Sequence, residues 1–170
     1  MTRYTITPES SALTAVARSD LHPVEARAAR LTGTIDATLT GDGVDVSRPA
    51  SARIELSTDA LLTDNPLVQR ELRRRLDTRR YPTATAAVRE VRGSGTRYEV
   101  RGDLALRHVT GPLRGHAVLV AGDTGRIEVT GELVLDVREF QLDPPRLLGL
   151  RVYPEVTVTV RLLAIAEPEP

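Results

Sequence analysis

Histidine, serine and paired carboxylates are the side chains that could give this chain reactive chemistry, and their spacing offers them little. The three histidines are His22, His108 and His116. Counting along strands and turns places His108 on the side of Leu104 and Leu106 and His116 on the side of Arg114, and residues on opposite faces cannot share a metal ion. No carboxylate follows either histidine at a ligand spacing. Ser94 lies in Gly93-Ser94-Gly95, which lacks the G-x-S-x-G pattern of a nucleophile elbow and reads as a hairpin turn. Asp42 and Asp45 sit in a glycine-rich turn, where aspartate serves turn geometry. Cysteine is absent, which excludes a disulfide framework, a thiolate metal site and a cysteine nucleophile. These residues predict no enzyme, no metal site and no cofactor.

The elements that would position any site follow from alternation at period two, which sends one row of side chains inward and the other outward. From Ala29 to Leu39 the odd positions are Ala29, Leu31, Gly33, Ile35, Ala37 and Leu39, and the even ones to Thr38 are Arg, Thr, Thr, Asp and Thr. Tyr98, Val100, Gly102, Leu104 and Leu106 alternate in the same way with Arg97, Glu99, Arg101, Asp103, Ala105 and Arg107. The pattern returns with Ile127, Val129, Gly131, Leu133 and Leu135, and again with Val156, Val158, Val160 and Leu162. Less regular strands fit Leu13 to Arg18, Ala52 to Leu56, Ala84 to Val88 and Leu113 to Val120, making eight, with Tyr4 to Ile6 as a lead-in.

Turn residues separate them at Gly41-Asp42-Gly43, Gly93-Ser94-Gly95, Thr110-Gly111-Pro112 and Gly122-Asp123-Thr124-Gly125. Such short links imply antiparallel neighbours. One helix is predicted over Pro66 to Leu76, with Asp64 or Asn65 as N-cap, Pro66 at its first position, and Leu67, Val68, Leu72 and Leu76 on one face. Glu139 to Arg151 reads as a long loop or short lid.

Eight long strands suit a tall all-β, antiparallel, lipocalin-like barrel, in which closure removes exposed edges and leaves room for packed side chains or one small ligand. Inward glycines at Gly33, Gly102, Gly115 and Gly131, and inward alanines such as Ala15, Ala86 and Ala117, occupy little volume. Aromatic residues make up only 3% of the chain, so few side chains could plug the interior. A cavity or an apolar tenant is one consequence; glycines that bend the strands, with leucines closing the gap, are the other. The helix carries Arg70, Arg73, Arg74, Arg75, Arg79 and Arg80 against Glu71 and Asp77, a solvated face or a contact for an anionic headgroup at a barrel mouth.

Lys+Arg and Asp+Glu both number 23, a neutral balance unlike the basic excess that nucleic acid binding requires. The N-terminus shows no export signal and no apolar run reaches bilayer length, which predicts a cytoplasmic chain with no transmembrane segment. The length suits one domain over 1–166, followed by a disordered tail at 167–170.

Several segments resemble the YceI-like family of lipocalin-like, polyisoprenoid-binding proteins. Val100, Gly102, Leu104, Val109, Thr110 and Pro112 fill the places of the family's V-x-G-x-L stretch and its V-T-x-P turn, while His108 stands where a glycine is usual. RRLDTRRYPTATA resembles the family's helix end and following strand, through Asp77, Tyr81 and Pro82. Asp136, Val137, Arg138 and Phe140 resemble a late element in which an arginine is followed after one residue by an aromatic.

The resemblance implies an extended eight-stranded barrel whose lumen holds a polyisoprenoid, isoprenoid quinone or lipid. Ile35, Leu76 and Ala86 take places where the family often carries phenylalanine. The ligand-binding set expected is Gly33, Ile35, Leu76, Ala86, Val100, Gly102, Leu104, Leu106, Val129, Gly131, Leu133, Arg138 and Phe140. The partner expected is thus an apolar small molecule. The alternative is a side-chain-filled barrel serving as an interaction or scaffold protein, whose outer surface binds a partner or a second copy as a homodimer.

Overall fold

Alternating runs become strands because each can bury one face and wet the other. In the computed structural model, which describes residues 1–41, 43–144, 146–147 and 149–169, the strands are β1 (Thr2–Ile6), β2 (Ala12–Ser19), β3 (Val24–Ala29), β4 (Thr32–Ala37), β5 (Leu39–Thr40), β6 (Gly43–Val44), β7 (Ser51–Ser57), β8 (Thr83–Ser94), β9 (Arg97–Leu106), β10 (Val109–Ala121), β11 (Arg126–Asp136), β12 (Arg146–Leu147) and β13 (Leu150–Ala166). The helix α1 spans Pro66–Leu76, as its periodicity predicts. Asn65 caps it, its side chain accepting from the Leu67 and Val68 amides, and Asp77 ends it in the left-handed conformation.

The strands β1, β4, β7, β8, β9, β10, β11 and β13 form an antiparallel ring that closes where β13 pairs with β1. One edge of the 17-residue β13 pairs with β11, while its other edge takes β2 and then β1. β2 and β3 extend the same ladders, so β1 with β2, and β3 with β4, are long strands each interrupted once. The result is a closed eight-stranded barrel of the lipocalin-like kind.

Several details differ from the sequence reading. The strand expected from Ala29 is β3 and β4 together, and Ala29 is exposed rather than inward. Arg30 adopts φ 63, which inserts a step into the alternation, so that Ala28 and Leu31 both face inward. Thr110-Gly111-Pro112 lies inside β10, and the turn is Arg107-His108, with Arg107 at φ 55. His108 is therefore exposed in that turn, its ring 6.0 Å from that of Tyr81, and not on the face of Leu104 and Leu106. The expected loop over Glu139 to Arg151 begins with a 3₁₀ turn at Val137–Phe140 and ends in β12 and the start of β13; Asp42 in the first turn and Pro145 and Leu148 in this segment lie outside the described residues. Glu167, the first residue of the expected tail, donates its amide to the Arg3 carbonyl and accepts from Thr5 Oγ1.

The two ends of the barrel are built differently. At one end Tyr4, Ile6, Leu31, Ile35, Tyr98, Leu119, Ile127, Leu162 and Ala164 pack into a buried cluster, with Leu39 and Val44 of the β5–β6 hairpin against it. The other end carries α1, the Arg107-His108 turn and the segment that follows β11.

Candidate functional site: the barrel lumen

Between those ends the barrel is hollow, with a cavity of about 370 Å³. The strand register builds its wall in rows. Ala117 stands beside Gly131 and Tyr98, Gly115 beside Leu133 and Val100, and Val129, Gly131 and Leu133 continue across β13 to Leu162, Val160 and Val158. Leu13 and Ala15 face Val160 and Val158 from β2. Leu72 and Leu76 of α1 complete the wall from the helix end. Small residues at Ala15, Ala26, Ala52, Ala84, Ala86, Gly115, Ala117 and Gly131 leave the space open, because no larger side chain reaches across from an opposite strand. A barrel filled by its own leucines and valines does not fit this void.

The helix end holds a second compartment of about 160 Å³ that shares Ala15, Ala26, Leu72, Leu76 and Val156 with the first and adds Thr63, Glu71, Arg75 and Asp143. This is the mouth of the lumen, mostly apolar itself, with these few polar side chains among its aliphatic neighbours. Glu71 accepts from Arg74 (2.6 Å) and Arg75 (2.8 Å), and these two hydrogen bonds hold its carboxyl at about 2, far below the usual carboxylate range. Arg75 also donates to the Asp143 carbonyl (2.7 Å), while Arg107 donates to the Gln141 carbonyl (2.9 Å). Two guanidinium groups thus tie the segment after β11 across the mouth.

At the opposite end the floor is Tyr98, which is 4% exposed. Its hydroxyl accepts from the Val44 amide (2.8 Å) and donates to the Gly95 carbonyl, pinning the β5–β6 hairpin beneath the lumen.

Of the residues expected to bind ligand, Ile35, Leu76, Ala86, Val100, Leu104, Leu106, Val129, Gly131 and Leu133 stand together on the cavity wall. Gly33, Gly102, Arg138 and Phe140 do not line it. A β-carbon at Gly33, where φ is +136°, would lie 1.9 Å from the Arg53 carbonyl oxygen, and one at Gly102 would lie 1.8 Å from that of Ala87. These glycines admit a neighbouring strand rather than a ligand, and opposite Gly102 the register of β8 slips between Val88 and Glu90. At Gly131 the nearest atom to such a β-carbon is 3.8 Å away. Arg138 is exposed and paired with Asp136 at 2.6 Å, a bond that lowers the acid's pKa and raises the arginine's. Phe140 is fully buried against Gly111, outside the lumen.

Sequence reasoning placed Arg75 only within an arginine patch at a barrel mouth, and it missed the mouth tie Arg107, the floor role of Tyr98 and the wall residue Ala26. Only Tyr98 had a signal, as the one aromatic in an aliphatic inward row. His116 lies on the outer surface with Arg114, as the strand count predicts. Among the described residues no group of three or more His, Cys, Asp or Glu could hold a metal ion, and no helix is long and apolar enough to cross a membrane.

The sequence profile of the YceI-like domain matches residues 4–164. The chain belongs to the YceI-like family. Comparison with curated proteins finds no match. Among solved structures, this YceI-like barrel resembles BcnA of Burkholderia cenocepacia (15% identity, TM-score 0.74, covering 90% of this chain and 95% of that one). It also resembles a polyisoprenoid-binding domain of Saccharophagus degradans implicated in plant cell wall breakdown (18% identity, TM-score 0.74, covering 98% and 100%). A YceI protein of Campylobacter jejuni aligns at 12% identity and TM-score 0.61 over 82% of each chain.

Proposed function

We propose that this YceI-like protein binds, stores or carries an apolar or amphiphilic small molecule, of the polyisoprenoid, isoprenoid quinone or lipid class, without catalysing a reaction on it. The observation that carries this reading is the aliphatic cavity of about 370 Å³, within the range of small-molecule sites. Its wall offers an apolar tail dispersion contacts and removal from water. The mouth, with Thr63, Glu71 and Arg75, offers hydrogen-bond partners to a polar head. The polyisoprenoid-binding domain of Saccharophagus degradans lends support by shared fold. The contact residues proposed are Ile35, Leu76, Ala86, Val100, Leu104, Leu106, Val129, Gly131 and Leu133.

Mass spectrometry of organic extracts from natively purified protein tests the reading. The expected result is a co-purifying isoprenoid, quinone or acyl compound that rebinds saturably. Empty extracts, with no saturable binding of any such compound, would overturn it.

A further inference from the structure

We infer that the lumen is a length gauge: it accommodates a single apolar chain of about 15 to 20 carbons, inserted tail first from the helix end and stopped by Tyr98. This rests on the lumen being the ligand site and sets which ligands fit it. The capacity follows from volume. An apolar cavity of about 150 Å³ accepts benzene, or about 25 Å³ for each carbon. At that ratio the cavity of about 370 Å³ holds about 15 carbons, and the mouth compartment of about 160 Å³ brings the total to about 21.

The direction follows from the two ends. Tyr98 closes the floor with its hydroxyl donating to the Gly95 carbonyl and accepting from the Val44 amide, which leaves it no hydrogen to donate to a ligand. Beneath the floor lies a second packed layer, Tyr4, Ile6, Ile127 and Ala164, none of which touches the cavity. The register gives the same order, since Leu119 and Val129 line the lumen while Ala121 and Ile127, one inward row further on, do not. At the floor end the polar residues bordering the cavity are Asp36, already bonded to Arg3, and Ser51, whereas the mouth presents Thr63, Glu71 and Arg75 to a polar head. A longer chain must therefore leave its excess in water outside α1, where additional methylenes gain nothing.

Titration of the full-length protein with linear primary alcohols of about 10 to about 30 carbons reads this out as a break in affinity against length. Affinity should rise roughly two- to fourfold with each added methylene up to a break between about 15 and 21 carbons, then stay flat. Ala117→Leu, which adds three carbons just above the floor, should move the break about three carbons shorter. Ala29→Leu, on the exposed outer surface, should leave it in place. Affinity that keeps climbing through about 30 carbons, or a break that Ala117→Leu does not move, would overturn the gauge while leaving the lumen a binding site. Failure of every alcohol to bind would instead overturn the proposed function.

Discussion

Alanine placed at Gly102 and at Gly131 tests the distinction between a glycine that brings strands together and one that leaves a cavity open. Both positions lie mid-strand with inward parity, and neither has a positive φ, so the intrinsic effect of alanine is the same at each, a gain of roughly 0.5 to 1 kcal/mol over glycine. Their surroundings separate them. At Gly131 the new methyl meets only the His116 carbonyl at 3.8 Å, an ordinary contact, and the gain survives. At Gly102 it would sit 1.8 Å from the Ala87 carbonyl oxygen. That oxygen belongs to a strand backbone and cannot swing aside, so β8 and β9 must part at a cost of roughly 1 to 3 kcal/mol or more. For a chain of this size each kcal/mol moves the melting temperature by roughly 2 to 4 °C. Thermal unfolding should therefore find Gly131→Ala at or slightly above the parent and Gly102→Ala lower by roughly 3 to 10 °C. A Gly102→Ala protein that melts with the parent would refute the close-approach argument.

Four further outcomes follow. Gly131→Leu should fold as the parent does but lose more than about tenfold affinity for a bound chain in a fluorescence competition assay, because its side chain occupies the lumen. Tyr98→Phe leaves the Val44 amide without its partner and should cost roughly 1 to 3 kcal/mol in urea unfolding. Phe140→Ala, at a fully buried position, should cost roughly 3 to 5 kcal/mol by the same measure. The Glu71 carboxyl, held at about 2 against an ordinary 4.5, stabilises the fold fully above pH 4.5 and loses that contribution as pH falls toward 2. The melting-temperature gap between the parent and Glu71→Gln should accordingly be constant from pH 7 to pH 5 and shrink below 4.5, and a gap that stays constant down to pH 2.5 would contradict the pairing.

The barrel was legible because alternation and helix spacing are local. The spans Arg97 to Leu106 and Pro66 to Leu76 follow from the side chains within them. Val24–Ala29 was not legible, since Ala26 and Ala28 mark an inward face only weakly and the left-handed turn at Arg30 resets the count. The lumen was half legible: nine of the thirteen expected contact residues share the wall, because inward parity is a property of the strand. Gly33 and Gly102 share that parity with Gly131, and what separates them is the distance to the next strand, which the sequence of one strand does not contain. Arg138 and Phe140 followed a family pattern at a place where the chain has already turned out of the sheet.

A hollow interior also determines how the molecule answers to pressure. Its aliphatic wall gives water few hydrogen-bond partners, and whatever part of the space of about 370 Å³ water leaves unfilled is volume recovered when the chain unfolds. Compression therefore favours unfolding, and it acts on the end roofed by α1 rather than on the packed end around Ile127 and Ala164, where there is little volume to recover. An occupant of the lumen removes that volume difference, so the filled protein resists compression better than its affinity for the occupant alone would require.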